Sequence, residues 1–490
     1  MAANKTWMTQ LALNLQLAWI DEALARDPRR ADLRYSRAGL LAGLGRDEEA
    51  RADYLAVIAL EPTHFGALND LGSLLYRTDF RSAARLAYAE AVRHHPDNPI
   101  GRINLGNAWL AEGQTDEARA QFEAALILSP DDPDAHQGLA NLLQQGGDWE
   151  AAEQHRLRSY QGRTITHRPF RGTGAPCRVL LLMSAAGGNV PTRFLLDETL
   201  FQTTVMAVEA FRPGAALPAH DLVFNAVGDA DLGGSALDAV ARVLTGAQTL
   251  TINPPDRIRA TGRAANAALL AHLPGVITPE IVSLRRADLP AAAADFGYPF
   301  LLRSPGYHTG QHFMKVDDPA ALARALAILP GPELLMIQYL DARDGRGLAR
   351  KYRAMMVGGA VYPLHLALSH DWKVHYFTAD MADRPDHRAE EAAFLADMPA
   401  VIGPRAMAAL GEINRALGLD YGGVDFALAP DGSLLLFEAN ATMALLPPGP
   451  EAMWDYRRAS VERILDAVKA MVLERAGISR TADSPERTES

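Results

Sequence analysis

Cysteine is nearly absent from this 490-residue chain, which has only Cys177. One thiol excludes an intramolecular disulfide and a cysteine-rich zinc site, and it agrees with a reducing, cytoplasmic setting. No stretch reaches the roughly 18 consecutive apolar residues that a membrane-crossing helix needs. The apolar stretch near the N-terminus, LALNLQLAWI (residues 11–20), is interrupted by Asn14 and Gln16 and followed by Asp21 and Glu22. It lacks a basic leader and a small-residue cleavage site, so it reads as an amphipathic helix and not as a signal peptide. Positive charge is also in deficit: 48 Lys+Arg stand against 59 Asp+Glu, a formal net charge of −11. That balance argues against general affinity for nucleic acid or an anionic membrane, while leaving room for a local basic site. With 48% hydrophobic and 22% charged residues the composition is that of a globular protein, and at roughly 150 residues per domain the length implies about three domains.

Proline, by contrast, recurs with regularity. Pro28, Pro62, Pro96 and Pro130 follow one another at intervals of 34 residues. The same interval links Ala50, Ala84, Ala118 and Ala152; Tyr54, Tyr88 and Phe122; Leu41, Leu75 and Trp109; and Leu71-Gly72 with Leu105-Gly106. Small residues let two antiparallel helices approach, aromatic rings fill the space between successive pairs, and proline stops the second helix. The pattern resembles the tetratricopeptide repeat, a helix-turn-helix unit of this period. Three full repeats are expected over 31–132, a fourth and incomplete one from Pro133 to about Tyr160, and a capping half-repeat before Pro28. The groove of such a solenoid implies a peptide or protein partner. The alternative is a domain that stabilises a dimer or packs on its neighbour, and a homodimer stays open.

The helical pattern stops at GRTITHRPFRGTGAP (Gly162–Pro176), a basic, Gly/Pro-bearing stretch expected to be a linker. RVLLLM (Arg178–Met183) then reads as a buried strand, and apolar runs alternate with helices through HDLVFNAVGD and GSALDAVARVLTG. The loop Ala185-Ala186-Gly187-Gly188 does not have the spaced glycines of a dinucleotide fingerprint and reads as a turn before it reads as a phosphate loop. Asn189, Asn225 and Asp229 follow predicted strands, where they either line a substrate pocket or serve turns.

The sharpest local signal is GGVDFALAPDGSLLLFEAN (Gly422–Asn440). Two apolar runs flank Pro430-Asp431-Gly432, which predicts a β-hairpin. Alternation of faces places Glu438 with Asn440, and a tight turn at Asp431-Gly432 sets Asp425 opposite Glu438. Two carboxylates and an amide oxygen converging from a run of Val, Phe and Leu suit Mg²⁺ or Mn²⁺ shared with nucleotide phosphates. The plain alternative is an amphipathic hairpin with its polar face in water.

Further segments upstream stand in an order that resembles the ATP-grasp superfamily, in particular its carboxylate–amine ligases: glutathione synthetase, the RimK-like amino-acid ligases and D-alanine–D-alanine ligase. GVDF…FEAN resembles that family's metal hairpin, which implies metal roles for Asp425, Glu438 and Asn440. PFLLRSPGYHTGQHFMKV (Pro299–Val316) resembles its phosphate strand and glycine loop, implying a phosphate and catalytic role for Arg303 and a loop from Gly306 to Gly310 closing over the phosphates. INPPDRIRATGRAANAALL (Ile252–Leu270) implies a second phosphate-binding residue, Arg263. LLMIQYLDA (Leu334–Ala342) resembles the hinge strand, so that Gln338, Tyr339 and Leu340 meet adenine and Asp341 or Asp344 reaches the ribose. KYRAMMVGG (Lys351–Gly359) implies a catalytic role for Arg353 at the γ-phosphate. Arginine stands at 263 and 303 where lysine is common in the family; arginine is always charged and forks onto phosphate oxygens.

The resemblance covers about Arg178 to Leu473. It implies a multidomain chain, an all-α tetratricopeptide solenoid followed by an α+β ATP-grasp fold with an N-terminal α/β lobe. The expected divisions are a repeat domain (1–163), a linker (164–176), an N-terminal α/β substrate lobe (177–258), a central lobe with the glycine loop (259–336), a C-terminal lobe with the metal hairpin (337–476) and a disordered tail (477–490). The implied activity is that of an ADP-forming ligase using ATP and Mg²⁺ (or Mn²⁺), joining a carboxylate to an amine, an amino acid or peptide among them, through an acyl phosphate. A non-catalytic nucleotide-binding scaffold is the alternative, and a small-molecule kinase shares the first half-reaction. In YPLHLALSHDWKVHYF (Tyr362–Phe377) the five-residue spacing of His365, His370 and His375 sets successive rings on opposite faces of a strand, against a transition-metal site. His370, Trp372, Lys373 and Asn189 are candidate substrate contacts. The acidic stretch Asp380–Glu391 is expected to be a solvated loop or helix face.

Overall fold

A computed structural model of the chain describes residues 16–145, 148–160, 164–185, 187–212, 214–305, 312–374, 379–449 and 451–478. It divides into two compact units, Met1–Arg163 and Thr164–Ser490.

Among the described residues, the first unit is built of helices alone. After α1 (residues 16–26), four helix pairs follow: α2 (Ala31–Gly43) with α3 (Asp47–Leu60), α4 (Phe65–Arg77) with α5 (Arg81–His94), α6 (Pro99–Ala111) with α7 (Thr115–Leu128), and α8 (Pro133–Gln145) with α9 (Trp149–Ser159). Each pair also packs on the next. The periodic residues explain the stack. Ala50, Ala84, Ala118 and Ala152 are all fully buried, as is Phe122. A Cβ on Gly106 would come within 2.8 Å of the Phe122 ring, and one on Gly138 within 2.5 Å. Glycine is therefore what lets the aromatic ring seat between successive helices. The fourth unit departs from expectation, because it is a complete helix pair whose second helix has 11 residues against 14 in the others.

Among the described residues, the second unit contains three sheets with flanking helices. The first has strand order β1-β3-β2-β4-β5, formed by β1 (Ile165–His167), β2 (Cys177–Met183), β3 (Phe201–Ala207), β4 (Leu222–Asn225) and β5 (Thr251–Ile252). All its pairings are parallel except that of β1 with β3. Leu180, Leu181 and Leu182 of β2 are fully buried in sequence, the mark of a strand covered on both faces. One expectation is corrected here: the stretch read as a linker supplies the edge strand β1, whose exposed residues gave no hydrophobic signal. Cys177 opens β2 and is buried, and burial raises its thiol to about 11.

A short strand β6 (Val276–Ile277) joins the third sheet. The second sheet is antiparallel, order β7-β10-β8-β9, from β7 (Ile281–Arg285), β8 (Phe300–Arg303), β9 (Phe313–Val316) and β10 (Glu333–Gln338). Its core of Phe300, Leu302, Leu334 and Met336 is closed by Leu289 and Leu322 from two short helices. The third sheet runs β12-β11-β13-β14-β6, with β11 (Ala349–Val357), β12 (Ala360–Ser369), β13 (Tyr421–Leu428) and β14 (Leu434–Asn440). Helices Met398–Leu417 and Asp455–Arg475 pack against it. Glu391, placed by composition in a solvated stretch, is in fact fully buried on helix Pro385–Ala396, paired with Arg457 and Tyr456. Burial pushes its carboxyl up to about 8, against the hydrogen bonds from Tyr456 and the Leu366 amide. Beyond Ile478 the expected tail lies outside the described residues.

Among the described residues, no single helix is long and apolar enough to cross a membrane. Because Phe122 fills the space left by two glycines, Phe122→Ala should cost about 3–5 kcal/mol of stability in the helical unit, read from urea denaturation of the full chain followed by far-UV circular dichroism.

Candidate functional site

The site is organised by two β-bulges. The hairpin of β13 and β14 closes through Pro430–Gly432: the Ala429 amide donates to the Ser433 carbonyl at 2.8 Å, and Gly432 takes φ +78°. That loop is one residue longer than a tight Asp431-Gly432 turn, and pairs Leu428 with Leu434 and Phe426 with Leu436. Continued without interruption, the register would face Asp425 with Phe437. The bulge absorbs Phe437, and Asp425 stands opposite Glu438, with Gly423 opposite Asn440. The expected pairing is present, reached by a longer loop plus a bulge.

A second bulge lies at the same level on the sheet edge. Arg353 of β11 faces His365 of β12, whereas Ala354 faces Pro363, so Leu364 is the extra residue. Proline is tolerated there because β12 is an edge strand. Arg353 is also the register partner of Asp425. Directly opposed residues share a face, so His365, Arg353, Asp425 and Glu438 form one row across four strands.

That row is tightly paired. Arg353 grips Asp425 with Nε and with Nη2 at 2.7 Å, and Lys351 reaches the same carboxylate at 2.7 Å. Asp425 is fully buried. Burial opposes its charge, but Arg353 and Lys351 outweigh that and hold the carboxyl far below the usual range. Burial likewise works against the Arg353 cation, which Asp425 nonetheless stabilises. His365 is buried beside Arg353, and both effects hold its imidazole well below its ordinary value, in the neutral form. Glu438 accepts from Arg263 at 2.6 Å and from the Asn440 amide at 2.8 Å. Burial opposes its ionisation, yet Arg263 and Arg303 bring its carboxyl below the ordinary value.

These groups open into a cleft of about 330 Å³ within the second unit. Of the residues singled out from sequence, Arg263, Arg303, Gln338, Tyr339, Leu340, Arg353, Trp372, Lys373, Asp425, Glu438 and Asn440 line it. Arg263 begins helix Arg263–Leu270. Arg303 ends β8, is buried, and lies 5.4 Å from the Phe313 ring centre; burial and Arg263 lower its guanidinium to about 10. Gln338 ends β10, and its backbone amide is already donated to the Glu280 carbonyl at 2.8 Å. Trp372 meets the Phe313 ring edge-on at 5.5 Å.

Other candidates fall elsewhere. Asp341 is an exposed partner of Arg343, and Asp344 pairs with Arg350; neither lines the cleft, since their side chains hold the adjoining loop. His370 is exposed and outside the lining. Asn189 is also outside, because its side chain closes its own loop, accepting from the Ser184 amide and donating to the Ser184 carbonyl. Asn225 is consumed in the same way, by the Asn253 carbonyl and the Val227 amide. Gly306, Gly310 and His375 lie outside the described residues. Sequence reasoning passed over Lys351, although its place two residues before Arg353 puts both on one strand face. It also passed over Phe313, Arg343 and Arg350, for which the sequence offers no comparable signal.

The cleft inverts the polarity of the chain. Seven cations (Arg263, Arg303, Arg343, Arg350, Lys351, Arg353 and Lys373) line it against two carboxylates, in a protein of net charge −11. Such a wall suits a polyanion. Among the described residues no three His, Cys, Asp or Glu side chains gather as metal ligands. Two carboxylates and an amide are of the right chemical type for a magnesium ion that also takes phosphate oxygens and water, but both Asp425 oxygens are engaged by Arg353 and Lys351, and the Asn440 oxygen accepts from the Thr442 amide and hydroxyl at 3.0 Å.

Comparison with known proteins bears on the first unit. The tetratricopeptide repeat family model matches residues 17–64, 69–133 and 110–162. The N-terminal unit is a tetratricopeptide repeat array. Over 146 residues the chain is 30% identical to cellulose synthase operon protein C of Pseudomonas fluorescens, covering 27% of this chain and 11% of that protein. The Xanthomonas axonopodis pv. citri protein of the same name is 29% identical over 139 residues, covering 27% and 9%. The chain thus spans about a tenth of the length of these curated relatives. MamA from Desulfovibrio magneticus RS-1 is similar at 20% identity and a TM-score of 0.29, over 32% of this chain and 89% of that one. Tetratricopeptide repeats generally bind peptides or proteins.

Asp425→Asn would leave Arg353 and Lys351 facing a neutral group, and should cost about 3–5 kcal/mol. Because the folded carboxyl lies below its unfolded value, its stabilisation is complete above about pH 4 and is lost as pH falls further. The wild-type chain should therefore lose stability in acid more steeply than the variant, as read by thermal unfolding between pH 2 and 6.

Proposed function

We propose that the cleft binds ATP with magnesium and that the second unit is an ADP-forming ligase joining a carboxylate to an amine, with the repeats recruiting a peptide or protein partner. One observation carries this reading: segments around residues 263, 303, 338, 353 and 425–440, far apart in sequence, meet on one cation-rich cleft that contains two carboxylates and an amide. Arg303 and Arg263 would hold phosphate oxygens, and Tyr339, Leu340 and Phe313 would give an apolar wall for a base. Asp425, Glu438 and Asn440 would hold magnesium, which when bound offsets charge on the transferring phosphoryl group. A carboxylate cannot expel oxide when an amine attacks. Transfer of the γ-phosphoryl group to its oxygen releases ADP and gives an acyl phosphate; attack by the amine nitrogen then releases phosphate and a proton. On this reading Arg353 would steady the oxygens that gain charge.

A second reading, a nucleotide-binding scaffold without turnover, draws on the saturation of Asp425 by Arg353 and Lys351, which a metal would have to relieve. Incubation of the full chain with ATP, magnesium and pooled amino acids or short peptides separates the two. Expected is ADP and phosphate formation that requires both a carboxylate and an amine. AMP with pyrophosphate, or tight ATP binding with no turnover on any pool, would overturn the ligase. Glu438→Gln should lower ADP formation by about 10²–10³-fold with the helical signal of the repeats unchanged.

A further inference from the structure

The 34-residue period of the first unit also sets a polar contact inside the helix pairs, and that contact changes in the fourth. It joins one residue near the start of the first helix to a residue on the second. In the first pair these are Arg34 and Asp53, at 3.2 Å; in the third they are Arg102 and Gln121, at 3.4 Å. Each arginine also donates through Nε to a proline carbonyl just before its helix, Pro28 at 2.8 Å and Pro96 at 2.9 Å. The second pair has apolar, buried Leu68 and Ala87 at these positions. In the fourth pair the same positions hold His136 and His155. Their Nδ1 atoms lie 2.9 Å apart, and His136 Nε2 is 3.0 Å from the Pro130 carbonyl. Imidazoles, the side chains that titrate nearest neutrality, thus stand where the other pairs use Arg, Asp, Gln or apolar groups.

The contact can take up one proton but not two. A carbonyl only accepts, so His136 Nε2 carries a hydrogen; in the neutral ring its Nδ1 is then a lone pair, to which His155 Nδ1 donates. One added proton fits, because His136 can carry a hydrogen on both nitrogens while His155 turns to its other tautomer and accepts. A second would set two N–H groups on two cations against each other at the same distance. The unfolded chain has no such limit. His136 is 1% exposed, and burial lowers both imidazoles. Arg158 of α9 lowers both further, and His136 and Arg119 of α7 add to this at His155. Against them, the Pro130 carbonyl, Asp131 and Asp132 favour a charged His136, and Glu123 of α7 a charged His155. One oxygen of Asp132 already accepts from the Asp134 and Ala135 amides, at 3.0 and 3.1 Å. With the folded values below the unfolded one, the contact is fully stabilising above about pH 6.5 and weakens as pH falls.

Little apolar packing stands behind it. The position filled by Tyr54, Tyr88 and Phe122 in the other pairs is Arg156 in α9, whose guanidinium bonds Gln144 of α8. Ser159 donates to Gln137 at 3.2 Å, and among the described side chains of α9 Ala152 is the one buried apolar residue. We propose that His136 and His155 form a pH-sensitive latch, which holds α9 on α8 at neutral pH and releases it in mild acid, so that the repeat array changes its fourth unit with pH. This device belongs to the repeats and does not depend on the chemistry of the second unit.

The test is hydrogen–deuterium exchange of the full chain, read by mass spectrometry at pH 7.5 and 5.5 after correction for the intrinsic rates. Protection of α9 should fall about 10-fold at the lower pH, the ratio for one proton excluded from the folded form. Helices α2, α3, α6 and α7, which contain no histidine, should change by less than about 3-fold. The double variant His136→Arg/His155→Gln, which copies Arg102 and Gln121, should hold α9 protection within about 3-fold between the two pH values. Unchanged α9 protection in the wild-type chain, or an equal loss in the double variant, would overturn the latch. Histidine NMR of the wild-type chain supplies a readout that needs no variant. The two rings should bind fewer than two protons while α9 stays closed; two protons bound with α9 still protected would refute the proposal.

Discussion

The architecture of the second unit turns on one ion pair whose carboxylate water does not reach. Asp425 is fully buried and pairs with Arg353 across adjacent strands. A lone carboxylate at that depth would be driven to its neutral form. The guanidinium fork and Lys351 keep it charged, and the sheet has to hold three long side chains in register for them to do so. Both bulges lie at this level, on β12 and β14, and each realigns an outer strand so that its polar residue faces the pair.

From this row the wall of the cleft turns cationic, towards Arg303 and the end of β10. An arrangement that only stabilised the fold would gain little from such an excess, because buried ion pairs seldom outperform apolar packing. A surplus of one charge around a cleft is what recognition of an anionic ligand requires.

How much of this was legible from sequence follows from the range of the interactions. The repeats were, because a 34-residue period repeats the same local packing, and the buried alanines and Phe122 carry it directly. The hairpin was legible as well, since Pro430-Asp431-Gly432 between apolar runs is a local signal. Its register came out with Asp425 opposite Glu438 only because two features, a longer loop and a bulge at Phe437, offset each other; no alternation rule reveals either one. Asn189 and Asn225 read equally as pocket or turn residues because polar side chains after strands are ambiguous, and only the loop backbone that they bond resolves it. Glu391 was misjudged for a similar reason. Its burial depends on Arg457, 66 residues away, and an acidic run in sequence is indistinguishable from a solvated face until that partner is placed.

The pairing of Asp425 with two cations also bears on the order in which ligands assemble on the proposed reading. A divalent ion approaching alone meets a carboxylate already neutralised, and would leave Arg353 and Lys351 facing its own positive charge. A polyphosphate gives those two side chains another anion to bind, which lowers the cost of releasing the carboxylate. Nucleotide and metal should then each raise the affinity for the other, because the coupling between two ligands is reciprocal. Arginine at 263 and 303 fits the same logic. A planar, weakly hydrated cation can turn from a carboxylate to a phosphate while keeping a bidentate grip, where an ammonium would have to be resolvated between the two.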